Sequence, residues 1–342
     1  MKNYFKVIAV LLSFLALGSL ASCNKSKGSK QTGDLSSLTI GTCVMSFQQE
    51  FMIDLVTGYK EFIRQTKANV ILTDGGNMEP EKQVQNVQNF IAQKVDGILV
   101  QAIAIDVMRD TINQAYAQGI PIGYYPPNPG VNANTWFDYN EYDWGYQLGE
   151  EAAEWTQKKL NGKAKVINVE SNLEQAAQER ARGWREAMQN ILGKENVQFI
   201  ILDAKTTENT MSVTESALQA NPDARVVLVH SDDMCLGAYE AVVQSGLPQD
   251  NFFVGSCDGT TPVLELVEQN TVYRATVGND RFVTEMGFYW IENIARAALG
   301  MPYDSPFPIT TITLNYDNVK QYRARAPKYE LSPEIVEYMK TH

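Results

Sequence analysis

Histidine and cysteine are scarce in this sequence, and basic residues are outnumbered by acidic ones. Only two histidines, His230 and His342, and four cysteines occur among 342 residues, with no CxxC or HxxxH spacing. We therefore expect neither a bound metal nor a histidine-based catalytic relay. The 29 Lys and Arg face 40 Asp and Glu, a net charge of −11. This acidity argues against a nucleic-acid partner, since phosphate binding requires a basic face.

The glycine-rich loops that bind nucleotides are also missing. Neither GxGxxG nor GxxxxGK(S/T) occurs, so neither a dinucleotide nor a P-loop nucleotide is expected as a cofactor. No activated nucleophile stands beside a base in the loops that follow the predicted strands. We therefore predict that the protein is not an enzyme. An extracellular hydrolase is the alternative from a different class, because Asp232-Asp233 or Asp258 could supply paired carboxylates.

The N-terminal segment is typical of a bacterial lipoprotein signal. Two lysines precede the apolar run 7–17, which is too short to span a membrane stably. The following Leu20-Ala21-Ser22-Cys23 resembles the bacterial lipobox, in which the cysteine is acylated and becomes the first residue after cleavage. We therefore predict a signal peptide over 1–22 and lipidation at Cys23, on the periplasmic or cell-surface face of a bacterial membrane. The alternative is an ordinary signal peptide with a chance cysteine.

The segment after Cys23 is polar and rich in glycine, serine and lysine, which predicts a flexible tether over 23–36. Three cysteines remain in the rest of the chain, and an odd number cannot all pair. We expect mostly buried thiols, and a Cys235–Cys257 disulfide stays open.

From residue 38 onward, short β-rich runs alternate with amphipathic helical periods. Apolar residues recur at spacings of three and four in the periods that begin at Phe51 and at Val84. Near-continuous apolar strands separated by helices predict parallel sheets covered on both faces, the doubly wound α/β class, and the number of units favours two sheets. The predicted strands are 38–44, 69–74, 97–102, 120–125, 164–170, 197–203, 224–230, 251–256 and 272–278.

The loops after these strands carry the functional information, because ligands of doubly wound sheets bind at the carboxyl ends of the strands. The loops are rich in amides, carboxylates and aromatic rings. Such groups exchange hydrogen bonds with hydroxyls and stack on the C–H faces of a sugar ring. We therefore predict a neutral polyhydroxyl ligand. The alternative for any single loop is helix capping, as Ser231 and Asp232 could do.

Several motifs in combination carry a family resemblance. They are IAQKVDGILVQAIAID (91–106), AQGIPI (117–122), QERARGW (178–184), HSDDMCLGAYEAV (230–242), GSCDGTTPVLELV (255–267) and YRATVGND (273–280). In this order they resemble the periplasmic sugar-binding proteins of the ribose- and galactose-binding type. The resemblance covers residues 38 to about 300. It implies a type I periplasmic binding fold with two lobes, one monosaccharide between them and three hinge crossings.

The resemblance also implies domain boundaries. The crossings would fall near Phe137-Asp138, Asn279-Asp280 and the segment 303–308. The first lobe would comprise 37–137 plus 280–305, the second 138–279 plus 306–330, and a tail helix with a capped start at Ser332-Pro333-Glu334 would occupy 331–342.

For the binding site, the resemblance implies specific roles. Asp258 matches the carboxylate that accepts from sugar hydroxyls, Arg180 the bidentate donor, Asn279 a hinge amide and Phe51 the ring that stacks on the sugar. Where the family has charged residues after its fourth strand, this chain has Pro126-Pro127, which could suit a deoxysugar, a polyol or a nucleoside. The full predicted ligand-binding set is Phe47, Gln49, Phe51, Gln101, Tyr124, Tyr125, Arg180, Ser231, Asp232, Asp258 and Asn279.

The function implied is ligand capture by hinge closure, followed by delivery to an ABC transporter permease by a monomeric lipoprotein. A repressor with the same two-lobed body would need an N-terminal helix-turn-helix, and residues 1–36 are a signal and tether instead. The remaining alternative is a receptor module that reports ligand occupancy to a membrane sensor kinase.

Overall fold

In the computed structural model, the residues described are 33–76, 78–125 and 130–342. The predicted signal peptide, Cys23 and most of the tether lie outside them. The strands are β1 (Thr39–Val44), β2 (Asn69–Asp74), β3 (Gly97–Gln101), β4 (Ile122–Tyr125), β5 (Thr135–Asp138), β6 (Ala164–Glu170), β7 (Val197–Asp203), β8 (Val226–Val229), β9 (Phe253–Cys257), β10 (Tyr273–Asn279), β11 (Phe307–Pro308) and β12 (Thr311–Asn315). The helices are α1 (Glu50–Thr66), α2 (Pro80–Gln93), α3 (Ile105–Ala117), α4 (Glu141–Leu160), α5 (Gln175–Leu192), α6 (Thr207–Ala220), α7 (Asp232–Gln244), α8 (Thr261–Glu268), α9 (Val283–Ala298), α10 (Val319–Arg323) and α11 (Pro333–Thr341).

The strands form two six-stranded sheets, one in each lobe. The first has the order β11-β5-β4-β3-β1-β2 and the second β12-β10-β9-β8-β6-β7. All pairings are parallel except that of β10 with β12. The predicted class, two doubly wound lobes, is confirmed, and every predicted strand is present. The prediction missed β5, β11 and β12, which are short or lie at sheet edges.

The sequence pattern explains the burial of these elements. Every residue of β3 and of β8 is buried, as expected for strands covered by helices on both faces. Helix α1 buries Phe51, Leu55, Tyr59 and Phe62, the same residues whose spacing predicted the helix. Their burial ties α1 to the core of the first lobe, next to α9.

Three crossings join the lobes before the C-terminal segment begins. The chain passes from β5 to α4, from β10 to α9, and from β11 to β12. Because Phe307 and Pro308 pair with β5 in the first sheet, the third crossing falls after Pro308, slightly later than the expected boundary at 305/306. The late crossing has a simple cause: β11 extends the first sheet by one edge strand before the chain leaves it.

The C-terminal segment crosses between the lobes once more. Val319 and Tyr322 of α10 pack in the core of the second lobe. Helix α11 packs on the first lobe, where Ile335 is fully buried. The Ser332 hydroxyl accepts a hydrogen bond from the backbone NH of Ile335, so α11 begins with the side-chain cap that its sequence indicates.

The three cysteines in the described residues are buried free thiols. The open possibility of a Cys235–Cys257 disulfide is therefore wrong for this structure. Cys235 lies on α7 and contacts the Gly255 carbonyl at 3.7 Å, while Cys257 ends β9 and packs on the opposite side, against α4 and α5. Within the described residues, no helix is long and apolar enough to cross a membrane.

Candidate functional site

Loops from both lobes meet at one cleft, where the carboxyl ends of the central strands face each other. The first lobe contributes the segment after β1 and the end of β4, and the second contributes the loops after β6, β8 and β9. A cavity of about 60 Å³ lies between them. Its lining is Met45, Gln49, Phe51, Met52, Tyr125, Glu174, Ala176, Ala177, Arg180, His230, Ser231, Asp233 and Asp258.

A second cavity of about 470 Å³ adjoins the first and is also lined by both lobes. The two share Gln49, Glu174 and Asp233. The larger cavity adds Lys205 from the second lobe, together with apolar Met78 and Leu173. The two spaces therefore form one interlobe cleft with a narrow inner end and a wider outer end.

Arg180 is the centre of the inner end. Its Nε donates to Glu141 at 2.6 Å, and its Nη1 donates to Asp258 at 2.9 Å and to the His230 carbonyl at 2.7 Å. The guanidinium also lies 4.8 Å from the centre of the Trp144 ring. Because these partners come from three different elements, the guanidinium is held in one orientation.

Close helix packing sets the position of Arg180. Helices α4 and α5 cross at Gly145 and Gly183, and a Cβ on Gly145 would lie 1.8 Å from the Arg180 carbonyl oxygen. A Cβ on Gly183 would lie 2.2 Å from the Tyr142 carbonyl oxygen. Only glycine permits such an approach of two backbones. The glycine of the QERARGW motif therefore brings Arg180 beside Glu141.

Asp258 has a strained backbone at the edge of the cavity. Its φ is 135°, a value that residues other than glycine rarely adopt. Its carboxylate accepts from Arg180 and, at 3.3 Å, from the backbone NH of Asp232. Burial raises the pKa of Asp258, and the nearby Arg180 opposes that rise. Strain and a perturbed pKa at a cleft residue are typical of a functional site.

Asp233 joins the two lobes across the cleft. Its Oδ2 accepts a hydrogen bond of 2.9 Å from the backbone NH of Glu50, the first residue of α1. Gln49 at the N-cap of α1 makes no side-chain cap, so Asp233 of the opposite lobe caps this helix. Burial, and then repulsion from Asp258, raises the pKa of Asp233 to about 7.

A second polar contact between the lobes lies near the hinge. The Tyr125 hydroxyl at the end of β4 donates to Glu141 at the start of α4. Because Glu141 also accepts from Arg180, the chain Tyr125–Glu141–Arg180–Asp258 runs from the first sheet to the second. Closure of the lobes and the orientation of Arg180 are therefore linked through shared hydrogen bonds.

The structure brings six of the predicted site residues together in the cavity lining: Gln49, Phe51, Tyr125, Arg180, Ser231 and Asp258. Five others lie outside that lining. The Phe47 side chain is 41% exposed, Gln101 donates to the Tyr59 hydroxyl at 3.0 Å within the first lobe, and Tyr124 is buried in the core around β3 and α3. Their contact with a ligand stays a prediction.

Asp232 and Asn279 also lie outside the cavity lining, in different environments. Asp232 is fully buried and accepts from Thr276 at 2.7 Å and from the backbone NH of Thr260 at 2.7 Å, so it ties α7 to α8 and β10. Asn279 ends β10 at the second crossing, and neither polar atom of its buried side chain has a hydrogen-bond partner. Asn279 therefore keeps unused hydrogen-bonding capacity at the hinge, whereas Asp232 has a structural role.

The sequence analysis left four polar residues out of the predicted ligand-binding set. Glu174, His230 and Asp233 line the cavity, and Glu141 holds Arg180. His230 and Asp233 stand beside Ser231 in the HSDDMCLGAYEAV motif, so their position at a strand end was available as a signal. Glu141 follows β5. Because β5 was not predicted, the loop after it was not searched for site residues.

Within the part of the chain that the structure describes, no cluster of His, Cys, Asp and Glu has the arrangement of a metal site. Burial, and then the nearby Arg180, lowers the pKa of His230 to about 3, so its ring is neutral at pH 7. The cleft is thus built from hydrogen-bonding groups, the aromatic rings of Phe51 and Tyr125, and one tightly held guanidinium. Such a set can orient a polar ligand.

Residues 40–301 match the periplasmic binding protein domain family. The chain belongs to the periplasmic binding proteins. Membership implies a place outside the cytoplasm, and the relatives that match are mostly solute-binding proteins rather than enzymes. The predicted recognition as a type I periplasmic sugar-binding protein is confirmed.

Two ribose import binding proteins illustrate the similarity. The protein from Bacillus subtilis (strain 168) is 27% identical over 248 residues, which cover 70% of this chain and 78% of the relative. The protein from Escherichia coli (strain K12) is 23% identical over 309 residues, covering 89% of this chain and 96% of the relative.

Solved structures share the fold. An ABC transporter solute-binding protein from Bacillus halodurans with bound myo-inositol superposes with a TM-score of 0.74 at 24% identity, covering 86% of this chain and 99% of that one. A periplasmic solute-binding protein from Actinobacillus succinogenes with bound D-allose gives a TM-score of 0.72 at 20% identity, covering 83% of this chain and 100% of that one.

Proposed function

We propose that this protein is a lipid-anchored solute-binding protein that captures a polyhydroxyl ligand of monosaccharide size and delivers it to an ABC permease. One observation carries the proposal: hydrogen-bonding side chains from both lobes line the same interlobe cavity. The relatives that bind ribose, D-allose and myo-inositol agree with a ligand rich in hydroxyl groups.

Ligand capture in this proposal works by stabilising the closed arrangement of the lobes. A ligand between Phe51 of the first lobe and Arg180 of the second contacts both lobes only when they are close together. It therefore binds the closed form more tightly and shifts the population toward it. Asn279 at the second crossing offers its free amide to the same ligand.

The dimensions of the cleft require movement for ligand entry. Small-molecule sites measure roughly 300–1,000 Å³, whereas the inner cavity measures about 60 Å³. The adjoining space of about 470 Å³ is large enough, but only Gln49, Glu174 and Asp233 are shared between the two. A ligand that reaches Arg180 therefore has to separate the lobes and break the contact between Asp233 and Glu50.

A thermal-shift screen against sugars, polyols and nucleosides, followed by calorimetric titration, tests the ligand class. Removing the buried Phe51 ring costs about 1.5–3 kcal/mol of binding, so Phe51→Ala should weaken affinity roughly 10- to 150-fold. Ile53→Ala, at a residue of the same helix that is 39% exposed and lines neither cavity, is the matched control and should change affinity little. Equal losses in both variants, or in neither, would contradict the proposed site.

Lipid anchoring rests on the sequence Leu20-Ala21-Ser22-Cys23, which lies outside the described residues. Wild-type protein made in a bacterium that lipidates its exports should partition into the detergent phase. Cys23→Ser should be released as soluble protein or keep its signal peptide, because one cysteine carries the acyl chains. Soluble wild-type protein would overturn the anchoring proposal.

A further inference from the structure

Carboxylates outnumber cations in the lining of the inner cavity. Three carboxylates, Glu174, Asp233 and Asp258, face a single cation, Arg180. Arg180 is already engaged, since it pairs with Glu141 at 2.6 Å and with Asp258 at 2.9 Å. In the described part of the chain, neither Asp233 nor Glu174 forms an ion pair with a lysine or arginine.

His230 adds a further acceptor. The residue is 4% exposed and lines the cavity, and its Nε2 has no hydrogen-bond partner among the described residues. Burial, and then the nearby Arg180, lowers the pKa of His230, so the ring is neutral. A neutral imidazole has one nitrogen that carries no proton, and Nε2 can be that acceptor. A buried nitrogen of this kind is costly unless a donor reaches it.

Only one of the two carboxylate oxygens of Asp233 accepts a hydrogen bond from the described residues. Its Oδ2 accepts from the Glu50 backbone NH, and the described residues give its Oδ1 no donor. Burying a carboxylate without a cation is unfavourable, and burial followed by repulsion from Asp258 accounts for its raised pKa. Glu50 and Asp54 of α1 face Asp233 from the other lobe and add further negative charge. Lys205 is the cation of the adjoining cavity and is absent from the inner lining.

We propose that the cleft selects polyols that carry an ammonium group, such as amino sugars or aminocyclitols, and that Glu174, His230 and Asp233 receive this group. An ammonium group has three donors and no acceptor, which matches three acceptors around one small cavity. A hydroxyl brings one donor and two lone pairs, and its lone pairs would face carboxylate oxygens. The proposal rests on the proposed function, because it names the ligand class of the same site.

Charge adds to this complementarity. Hydrogen bonds between ionised groups are roughly twice as strong as those between neutral groups. The Asp258–Arg180 pair is available to the ligand's hydroxyls, while Asp233 and Glu174 remain for the ammonium. Specificity for the amine follows from acceptors that a neutral ligand would leave unpaired, which is the strongest form of discrimination available to a binding site.

Matched ligand pairs test the proposal by calorimetric titration of the full protein at pH 7. The probes are glucosamine, galactosamine and mannosamine, each compared with its parent sugar and its N-acetyl derivative, and scyllo-inosamine compared with scyllo-inositol. We expect at least one amine to bind ten or more times as tightly as its parent. The N-acetyl derivative keeps the nitrogen but loses the charge, so it should lose the advantage.

Variants then locate the recognition. Asp233→Asn and Glu174→Gln should each reduce the preference for the amine about tenfold while changing the affinity for the parent polyol little. Glu208→Gln removes one exposed carboxylate of the same lobe, lines neither cavity and should keep the preference. Thermal unfolding of each variant shows that it is folded.

The outcomes separate this proposal from the proposed function. If parent polyols bind as tightly as their amines, the selection for ammonium is wrong and capture of a polyhydroxyl ligand stands. If the preference exists but both Asp233→Asn and Glu174→Gln retain it, the assigned residues are wrong. If no polyol of either series binds, the proposed function itself fails.

Discussion

The cleft and the surface covered by the C-terminal segment both join the lobes, but they differ in whether their polar groups have hydrogen-bond partners. On the C-terminal side, the carboxylates of α9 are met by backbone donors of the tail: Glu285 accepts from Lys328 at 2.7 Å and Glu292 accepts from Ser332 at 2.5 Å. By contrast, His230 in the cleft and Asn279 at the hinge keep buried polar atoms without partners among the described residues.

This difference indicates which region is built for stability and which for binding. Buried polar groups in a stable core are hydrogen-bonded, and each exception calls for an explanation. The tail supplies donors to two carboxylates of α9 and adds apolar contacts, with the Tyr329 ring 5.5 Å from that of Phe288. The cleft leaves acceptors free and keeps Asp258 in a strained conformation. A bound ligand can supply the hydrogen-bond partners that these acceptors lack.

Arg180 does not fit a simple division between binding and stability. It lies in the cleft and also stabilises the fold. Arg180→Ala would leave Glu141 and Asp258 buried without a cation, so we expect the free energy of unfolding to fall by about 4 kcal/mol. Ligand affinity should fall as well. Chemical denaturation measures the first effect and titration the second.

The control for Arg180 is Arg182→Ala on the same helix. Arg182 pairs with Glu179 and Glu186, but its side chain is 47% exposed, so its loss should cost about 0.5 kcal/mol or less. Equal stability of the Arg180→Ala and Arg182→Ala variants would show that the buried network does not stabilise the protein.

Ile335 tests how much the C-terminal segment contributes to stability. Ile335→Ala removes a fully buried side chain from the contact between α11 and the first lobe, and such changes cost about 3 kcal/mol through lost burial and a residual cavity. Affinity should stay within about twofold, because the tail lies away from the cleft. Glu337→Ala, on an exposed face of α11, is the control. A large loss of affinity in Ile335→Ala would show that the tail governs lobe closure.

Asp233 predicts a pH dependence of stability. Its pKa is about 7 in the folded protein and lies near 3.8 for an ordinary aspartate. The folded state therefore binds more protons between these values, and this group lowers stability as pH rises from about 4 through 7. Asp233→Asn removes that loss, and a shift of about three pKa units corresponds to about 4 kcal/mol before solvent screening of this partly exposed side chain is counted. Relative to pH 4, the variant should therefore gain roughly 1–4 kcal/mol over wild type at pH 8.

Unfolding in denaturant at both pH values measures this effect. Asp110→Asn, at an exposed position on α3, is the control and should follow the wild-type pH profile. In our proposal Asp233→Asn also lowers the affinity for an amine ligand, so the Asp233 carboxylate favours binding at the expense of stability. A stability difference that does not change with pH would contradict the burial of an ionisable carboxyl at this position.

The thiols predict the smallest effect. Cys43, Cys235 and Cys257 are free and buried, so a reducing agent should shift the melting temperature by less than about 1 °C, corresponding to well under 1 kcal/mol. Differential scanning calorimetry with and without dithiothreitol checks this. A marked fall in the melting temperature on reduction would indicate that Cys235 and Cys257 form a disulfide.

The sequence by itself determined the class of fold and the strand ends that carry the site. Apolar runs and helical periods are local patterns, so they predicted β1 to β4 and β6 to β10 without knowledge of the tertiary structure. Asp258 directly follows β9, so its place at the cavity was predicted from a strand end, whereas Arg180 lies within α5 and was predicted from the family resemblance of the QERARGW motif. Short edge elements such as β11 carry too few residues to show a period.

The tertiary structure decided which polar groups meet. The hydrogen bond between Glu50 and Asp233 joins residues 183 positions apart, and its formation depends on how two separately folded lobes approach. The pairing of Glu141 with Arg180 depends on a glycine crossing of two helices, and the tail reaches the first lobe only after passing through the second. Local periodicity contains no information about these long-range contacts, because they depend on the docking of surfaces rather than on neighbouring residues.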